Sequence, residues 1–213
     1  MTAKRILGTI LVAMMVFGTS TAAMGNYPAI TIHADAPTAL TNEQLTEIIA
    51  TAPDISETRS ATTLANRRIT NAELDAWITE YWELGANAFE LELVRLINLE
   101  RESHRLTPLK INPNLMMAAR FHSQEMADLR FFNHRSPHHG RGFYRAEMFG
   151  HANIQEHVWG VRENIAGNTR CPQEVVTAWM NSPSHREAIL GSTYLTIGAG
   201  AVQSGGSTVK FGS

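Results

Sequence analysis

From residue 41 onward, polar punctuation alternates with apolar positions at helical spacing. Thr41 and Gln44 form a capping box ahead of Leu45, Ile48 and Ile49, which share one helical face. Pro53 ends that short helix, and the polar residues 56–68 read as linker or weak helix. A second box, Thr70 with Glu73, opens a helix whose Leu74, Trp77, Ile78 and Tyr81 recur at i, i+3, i+4 and i+7, with Gly85 as its stop. Its aromatic face predicts docking on the rest of the fold. Asn87 with Glu90 opens a third, placing Phe89, Leu93, Leu96, Ile97 and Glu100 on one side and Arg95, Asn98 and Glu102 largely opposite. Asn112 then caps and Pro113 starts a fourth, on which Leu115, Ala118, Ala119, His122, Met126 and Leu129 form one stripe. His122 is thus directed inward, as a core histidine donating to a backbone carbonyl.

Residues 131–155 carry glycines and histidines without periodicity and read as a long shaped loop with one helical turn near residues 144–148. Pro172 sits at a first-turn position for a helix carrying Val175, Val176, Trp179 and Met180, and Ser182-Pro183 restarts a shorter one. Residues 194–202 and 208–211 are β-prone and flank Ser204-Gly205-Gly206, a hairpin signal. Helices outnumber strands, and the strands lie late.

Within Arg162-Glu163-Asn164-Ile165-Ala166 a carboxylate stands at a strand end entering a core, where an unpaired charge costs several kcal/mol. Glu163 therefore needs a partner. Histidines from His134 onward supply candidates upstream, and His185 supplies one downstream. His138, His139, His151 and His157 are expected to be solvated loop residues.

The first residues follow a different rule. Lys4 and Arg5 precede an apolar run at residues 6–17 and then Ser20, Thr21, Ala22 and Ala23, the pattern of a secretory leader. The run is shorter than the roughly 20 residues a membrane span needs. Of 18 basic side chains, loss of Lys4 and Arg5 leaves a net charge of −4 against 20 acidic ones, with no basic stripe for nucleic acid. The single Cys171 forbids an intrachain disulfide, so the core must hold by packing. The expected organisation is a leader at 1–23, a linker and helical extension at 24–86, and a domain at 87–213.

That domain carries Leu96-Ile97-Asn98 with Arg101, Pro108-Leu109, and Ala118-Ala119 through His122-Ser123 to Met126. Then come Phe132-Asn133-His134, Arg162-Glu163-Asn164-Ile165, Trp179-Met180-Asn181-Ser182-Pro183 with His185-Arg186, and Ile197-Gly198-Ala199-Gly200. In this order the set resembles the CAP superfamily (cysteine-rich secretory, antigen 5 and pathogenesis-related 1 proteins) in its bacterial SCP-domain form. The resemblance implies an α+β fold: an α-β-α sandwich with a small antiparallel sheet flanked by helices and a groove above it, here preceded by the helical extension. It also implies two histidines and two glutamates in the groove that can bind a divalent ion such as zinc. His134 matches the first histidine and Glu163 the first glutamate. The second glutamate falls at Ser182, and the second histidine's His-Tyr-Thr-Gln context is absent, leaving His185 to fill part of that role. Ala188 stands where bacterial relatives have asparagine, and Cys171 takes a helix N-cap.

The expected groove is thus lined by His122, His134, Glu163, Ser182 and His185, with His134, His185 and Glu163 as the metal set. Ser182 and Ser184 beside His185 read as helix caps rather than nucleophiles, and no His-Glu-x-x-His or Gly-x-Ser-x-Gly word occurs. An exported module binding a lipid, another small ligand or a cell-envelope component asks least of these residues. A metal-dependent hydrolase with Glu163 as base and a structural envelope or spore-layer role are the alternatives.

Overall fold

A computed structural model of the chain describes residues 39–58, 60–151, 161–167, 171–203 and 206–212. The expected leader, the start of the expected linker, His157, and Ser204 and Gly205 of the hairpin signal lie outside the described residues. Among the described residues three helices begin with reciprocal capping boxes: α1 (Asn42–Ile49) at Thr41/Gln44, α2 (Asn71–Leu84) at Thr70/Glu73 and α3 (Ala88–Ser103) at Asn87/Glu90. The carboxamide of Asn112 accepts from the Asn114 and Leu115 amides to open α4 (Pro113–Leu129). Proline also occupies the first turn of α6 (Pro172–Met180) and α7 (Pro183–Ile189); α5 (Gly142–Met148) lies between α4 and α6. Gly85 stops α2 with φ 73°, a conformation that suits glycine.

Among the described residues four strands, β1 (Lys110–Ile111), β2 (Val161–Ala166), β3 (Thr196–Val202) and β4 (Gly206–Gly212), form one sheet in the order β1-β3-β4-β2. The β3–β4 and β4–β2 pairs are antiparallel; β1, unforeseen beside Pro108, adds a short parallel edge to β3. Beyond that two-residue edge, β3 would present open backbone groups. Side chains close it instead: the Ala199 amide donates to Met116 Sδ at 2.9 Å, Ala201 donates to Glu90 Oε1 at 2.9 Å, and Asn87 Nδ2 donates to the Ala201 carbonyl at 3.4 Å. Glu90 is also the buried ion-pair partner of Arg120, so one capping residue joins α3, α4 and the sheet.

Gly198 and Gly200 let α4 lie directly on the sheet, because a Cβ at either would overlap the α4 backbone. The alternate residues Ile197 and Ala199 enter a cluster with Leu93, Val94 and Ile97 of α3 and Val175, Val176 and Trp179 of α6. The result is an α-β-α sandwich of the α+β class. The expected polar side of α3 (Arg95, Asn98 and Glu102) needs correcting at Asn98, which is buried and exchanges hydrogen bonds with the Leu109 backbone; Arg101 is buried as well, donating to the Thr107, Ile189 and Gly191 carbonyls. Their polar ends satisfy loop backbone that the core would otherwise orphan.

The extension docks closely. The Trp77 ring meets Phe121 and Phe149 edge-on at 5.5 and 5.4 Å. The stretch read as linker or weak helix is mostly an irregular strap with one 3-10 turn, fastened where the Leu64 amide donates to Asp128 (2.9 Å) and Gln124 donates to the Thr62 carbonyl (2.7 Å). No helix among the described residues is long and apolar enough to cross a membrane.

Candidate functional site

Strand β2 carries Glu163 to a place where only 6% of its side chain is exposed. The guanidinium of Arg145, fully buried on α5, reaches it with one nitrogen: Nη2 lies 3.0 Å from Oε1 and 2.8 Å from Oε2. The same arginine donates to the Gly140 carbonyl (2.5 Å) and the His134 carbonyl (3.2 Å), fastening the loop over the strand. His134 also reaches the carboxylate, with Nδ1 at 3.1 Å from Oε1, while half of its side chain (51%) faces solvent. Nδ1 therefore carries a proton, and Nε2 has no partner among the described residues. Sequence reasoning misses Arg145. The available signal is its i, i+4 spacing to Phe149 on the apolar side of a short helix, where a buried cation demands an anion.

Behind this pair lies a second, more deeply buried cluster. His122 on α4 has Nε2 3.0 Å from the Asn133 carbonyl, as expected of a core histidine, and 3.9 Å from Glu163 Oε1. Its Nδ1 lies 3.4 Å from Glu125 Oε2, one helical turn on. The other oxygen of Glu125 accepts from Ser136 Oγ (2.5 Å) and His139 Nδ1 (2.7 Å). Burial alone would raise the Glu125 carboxyl, but donors from His122, His139 and Ser136 outweigh it and hold the pKa at about 2. His139 Nε2 in turn accepts the Ile69 amide at 3.0 Å.

The expectation of solvated histidines thus fails at two positions. His139 is buried, edge-on to Phe121 at 5.2 Å, because Glu125 requires a donor there. His151 is half-buried beside Asn112, and burial lowers its pKa. His138 keeps partial exposure and hydrogen-bonds Asn66 at 2.7 Å.

Ser182 and His185 also depart from expectation. Ser182 occupies the N-cap position of α7, yet its side chain makes no capping bond. Its hydroxyl is hydrogen-bonded to His185 Nδ1 at 2.8 Å, which satisfies both groups locally. The His185 carbonyl accepts from Asn164 Nδ2 at 3.0 Å, placing α7 beside β2. Burial, and secondarily the proximity of His134, lower the His185 pKa. A serine and histidine at this distance have the spacing of a nucleophile and its base, but no carboxylate orients His185 among the described residues.

The donors among the described residues do not fit a metal. Among the described residues no three His, Cys, Asp or Glu side chains are arranged to hold one, and the Glu163 oxygens already face a buried cation that would repel a second. The expected trio of His134, His185 and Glu163 is therefore divided between an Arg145-centred pair and a Ser182-centred one. What the arrangement offers is a buried polar cluster with His134 as its exposed group and Phe132, 57% exposed, two residues away.

A family model described as "CAP: Cysteine-rich secretory protein family" matches residues 94–211, just over half of the chain. The chain is 43% identical over 119 residues to the uncharacterized protein YkwD of Bacillus subtilis (strain 168), covering 56% of this chain and 44% of that one. An extracellular protein containing an SCP domain from Bacillus anthracis str. Ames has a similar fold, with TM-score 0.51 at 24% identity over 68% of this chain and 44% of that one. An outer surface protein from Borrelia burgdorferi gives TM-score 0.51 at 25% identity, over 57% of this chain and 89% of that one. The chain spans less than half the length of YkwD.

Proposed function

Because this chain belongs to the cysteine-rich secretory protein family, we propose that it is an exported binding module whose groove takes a small or extended, lipid-like ligand at His134. The observation that carries this reading is the engagement of Glu163 by Arg145. A general base needs a lone pair free to take a proton, and a buried arginine across both oxygens favours the ionised carboxylate but occupies the face it would work with. Glu163 then serves to orient His134, whose Nε2 and neighbouring Phe132 give one polar and one apolar contact to a ligand. Export is supported by the leader-like residues 1–23 and by the likeness to an outer surface protein.

The reading is tested on purified, exported protein by organic extraction and mass spectrometry for a copurifying amphiphile, with zinc calorimetry alongside. A bound amphiphile that is reduced in His134→Ala supports it. Zinc binding at micromolar concentration that disappears in Glu163→Gln overturns it in favour of the metal-dependent hydrolase. Absence of both leaves the structural envelope role as the better account.

A further inference from the structure

A cavity of about 510 Å³ lies between the extension and the loop that carries His139, with neither Glu163 nor His134 in its wall. Arg68 enters its wall from the extension, and Arg135, His138, Tyr144 and Glu147 enter from the domain. The volume falls within the roughly 300–1,000 Å³ of small-molecule sites. Neither Arg68 nor Arg135 has an ion-pair partner among the described residues, although the whole chain carries a net charge of −2.

Both arginines stand on backbone that is already fixed. The Arg68 carbonyl accepts from Arg67, whose guanidinium is itself paired with Glu73, and the next amide, Ile69, is seated on His139. The Arg135 amide donates to Asn133 Oδ1 at 2.8 Å, and the next side chain, Ser136, is tied to Glu125. Backbone held in this way lowers the ordering cost of binding. Tyr144 is 55% exposed and tilted against Phe143 with centroids 4.0 Å apart. It lies so close over Gly140 that a Cβ there would come within 2.9 Å of the ring. An exposed aromatic face beside guanidinium groups suits a ring with a C–H face and an attached anion.

We propose that this cavity binds a saccharide bearing a single carboxylate, with Arg68 and Arg135 on the carboxylate and Tyr144 against the sugar ring. Glu147 decides the charge: its carboxylate offsets one arginine, leaving a net single positive charge that matches a monoanion better than a phosphate dianion. The site exists only when the extension is docked, since Arg68 belongs to the extension. It does not depend on what the Glu163 groove binds.

The test is calorimetric titration of the full chain with N-acetylmuramic acid and with N-acetylglucosamine, which shares the ring but lacks the lactyl carboxylate. N-acetylmuramic acid is expected to bind at least roughly tenfold more tightly, the scale of one charge-assisted hydrogen bond. Arg68→Gln and Arg135→Gln should each remove about that factor, and Tyr144→Ala should weaken both sugars, with melting temperatures confirming that the variants fold. Inorganic phosphate should not compete. Equal binding of the two sugars, no binding of either, or retained binding in both arginine variants would overturn the proposal.

Discussion

The backbone amide of Ile69 donates to Nε2 of His139 at 3.0 Å, which leaves the ring's proton on Nδ1, 2.7 Å from Glu125. A residue before α2 thereby sets the tautomer of a histidine inside the family domain. Glu125 in turn holds Ser136 and His122, and His122 lies beside Glu163. The extension is thus joined to the candidate site through buried polar contacts as well as by the packing of Trp77.

Deleting residues 1–86 should therefore destabilise the domain rather than merely shorten it. The deletion uncovers Phe121 and Phe149, takes the donor from His139 and removes the partners of Gln124 and Asp128. Trp77→Ala alone is expected to cost about 3–5 kcal/mol, as for other large aromatic truncations in cores. Urea unfolding followed by tryptophan fluorescence measures both, and an unchanged midpoint in the deletion would refute the docking.

Glu125 gives a pH dependence with a definite sign. Its folded pKa, about 2, lies below its ordinary value of 4.5, so folding favours the ionised form. The stabilisation is fully present above pH 4.5 and is lost as pH falls through about 2, a depression worth roughly 3 kcal/mol. Glu125→Gln should be less stable at pH 7, and its stability should fall less steeply between pH 4.5 and 2. Parallel slopes in denaturant titrations across that window would show that Glu125 is not the group responsible.

The helices are legible in the sequence because their signals are local. Thr41, Thr70, Asn87, Asn112 and Pro172 each announce a start within one turn, and Gly85 announces a stop. Glu163 is legible as a carboxylate that needs a partner, and His134 as one candidate. Arg145 is not, since its role depends on bringing α5 against β2, which no local pattern encodes. The burial of His139 is hidden for the same reason: its two partners lie 14 and 70 residues away in sequence. Ser182 misleads because an N-cap position fixes the backbone, while the nearby imidazole decides where the hydroxyl turns.

Gly200 tests the contact between β3 and α4. A methyl group there would overlap Arg120 N and the Ala119 carbonyl carbon, which are backbone atoms with no rotamer to yield. Gly200→Ala should destabilise by at least the roughly 1–3 kcal/mol of core overpacking. Gly150→Ala makes an informative contrast, because its φ of 79° strains the backbone while its nearest neighbour, Asn114 Nδ2, stands at an ordinary 3.7 Å. Thermal melts should place Gly200→Ala well below Gly150→Ala; the reverse order would mean that strain outweighs the helix–sheet contact.

The pairing of Arg145 with Glu163 is best tested by a double-mutant cycle. Arg145→Met removes the cation and leaves the Glu163 carboxylate in a nearly dry site beside His134, a loss of about 3–5 kcal/mol. Glu163→Gln should cost less, because a neutral amide oxygen still accepts from Arg145. If the ion pair accounts for the loss, the double variant should be more stable than the sum of the single losses implies, by about 1–3 kcal/mol in urea titrations. Strict additivity would mean that Arg145 acts mainly through the Gly140 and His134 carbonyls. The same variants address metal binding: with the buried cation gone, Arg145→Met should bind zinc more tightly than the wild type. If the wild type binds zinc at least as well as Arg145→Met in calorimetry, the guanidinium is not what keeps a metal from Glu163.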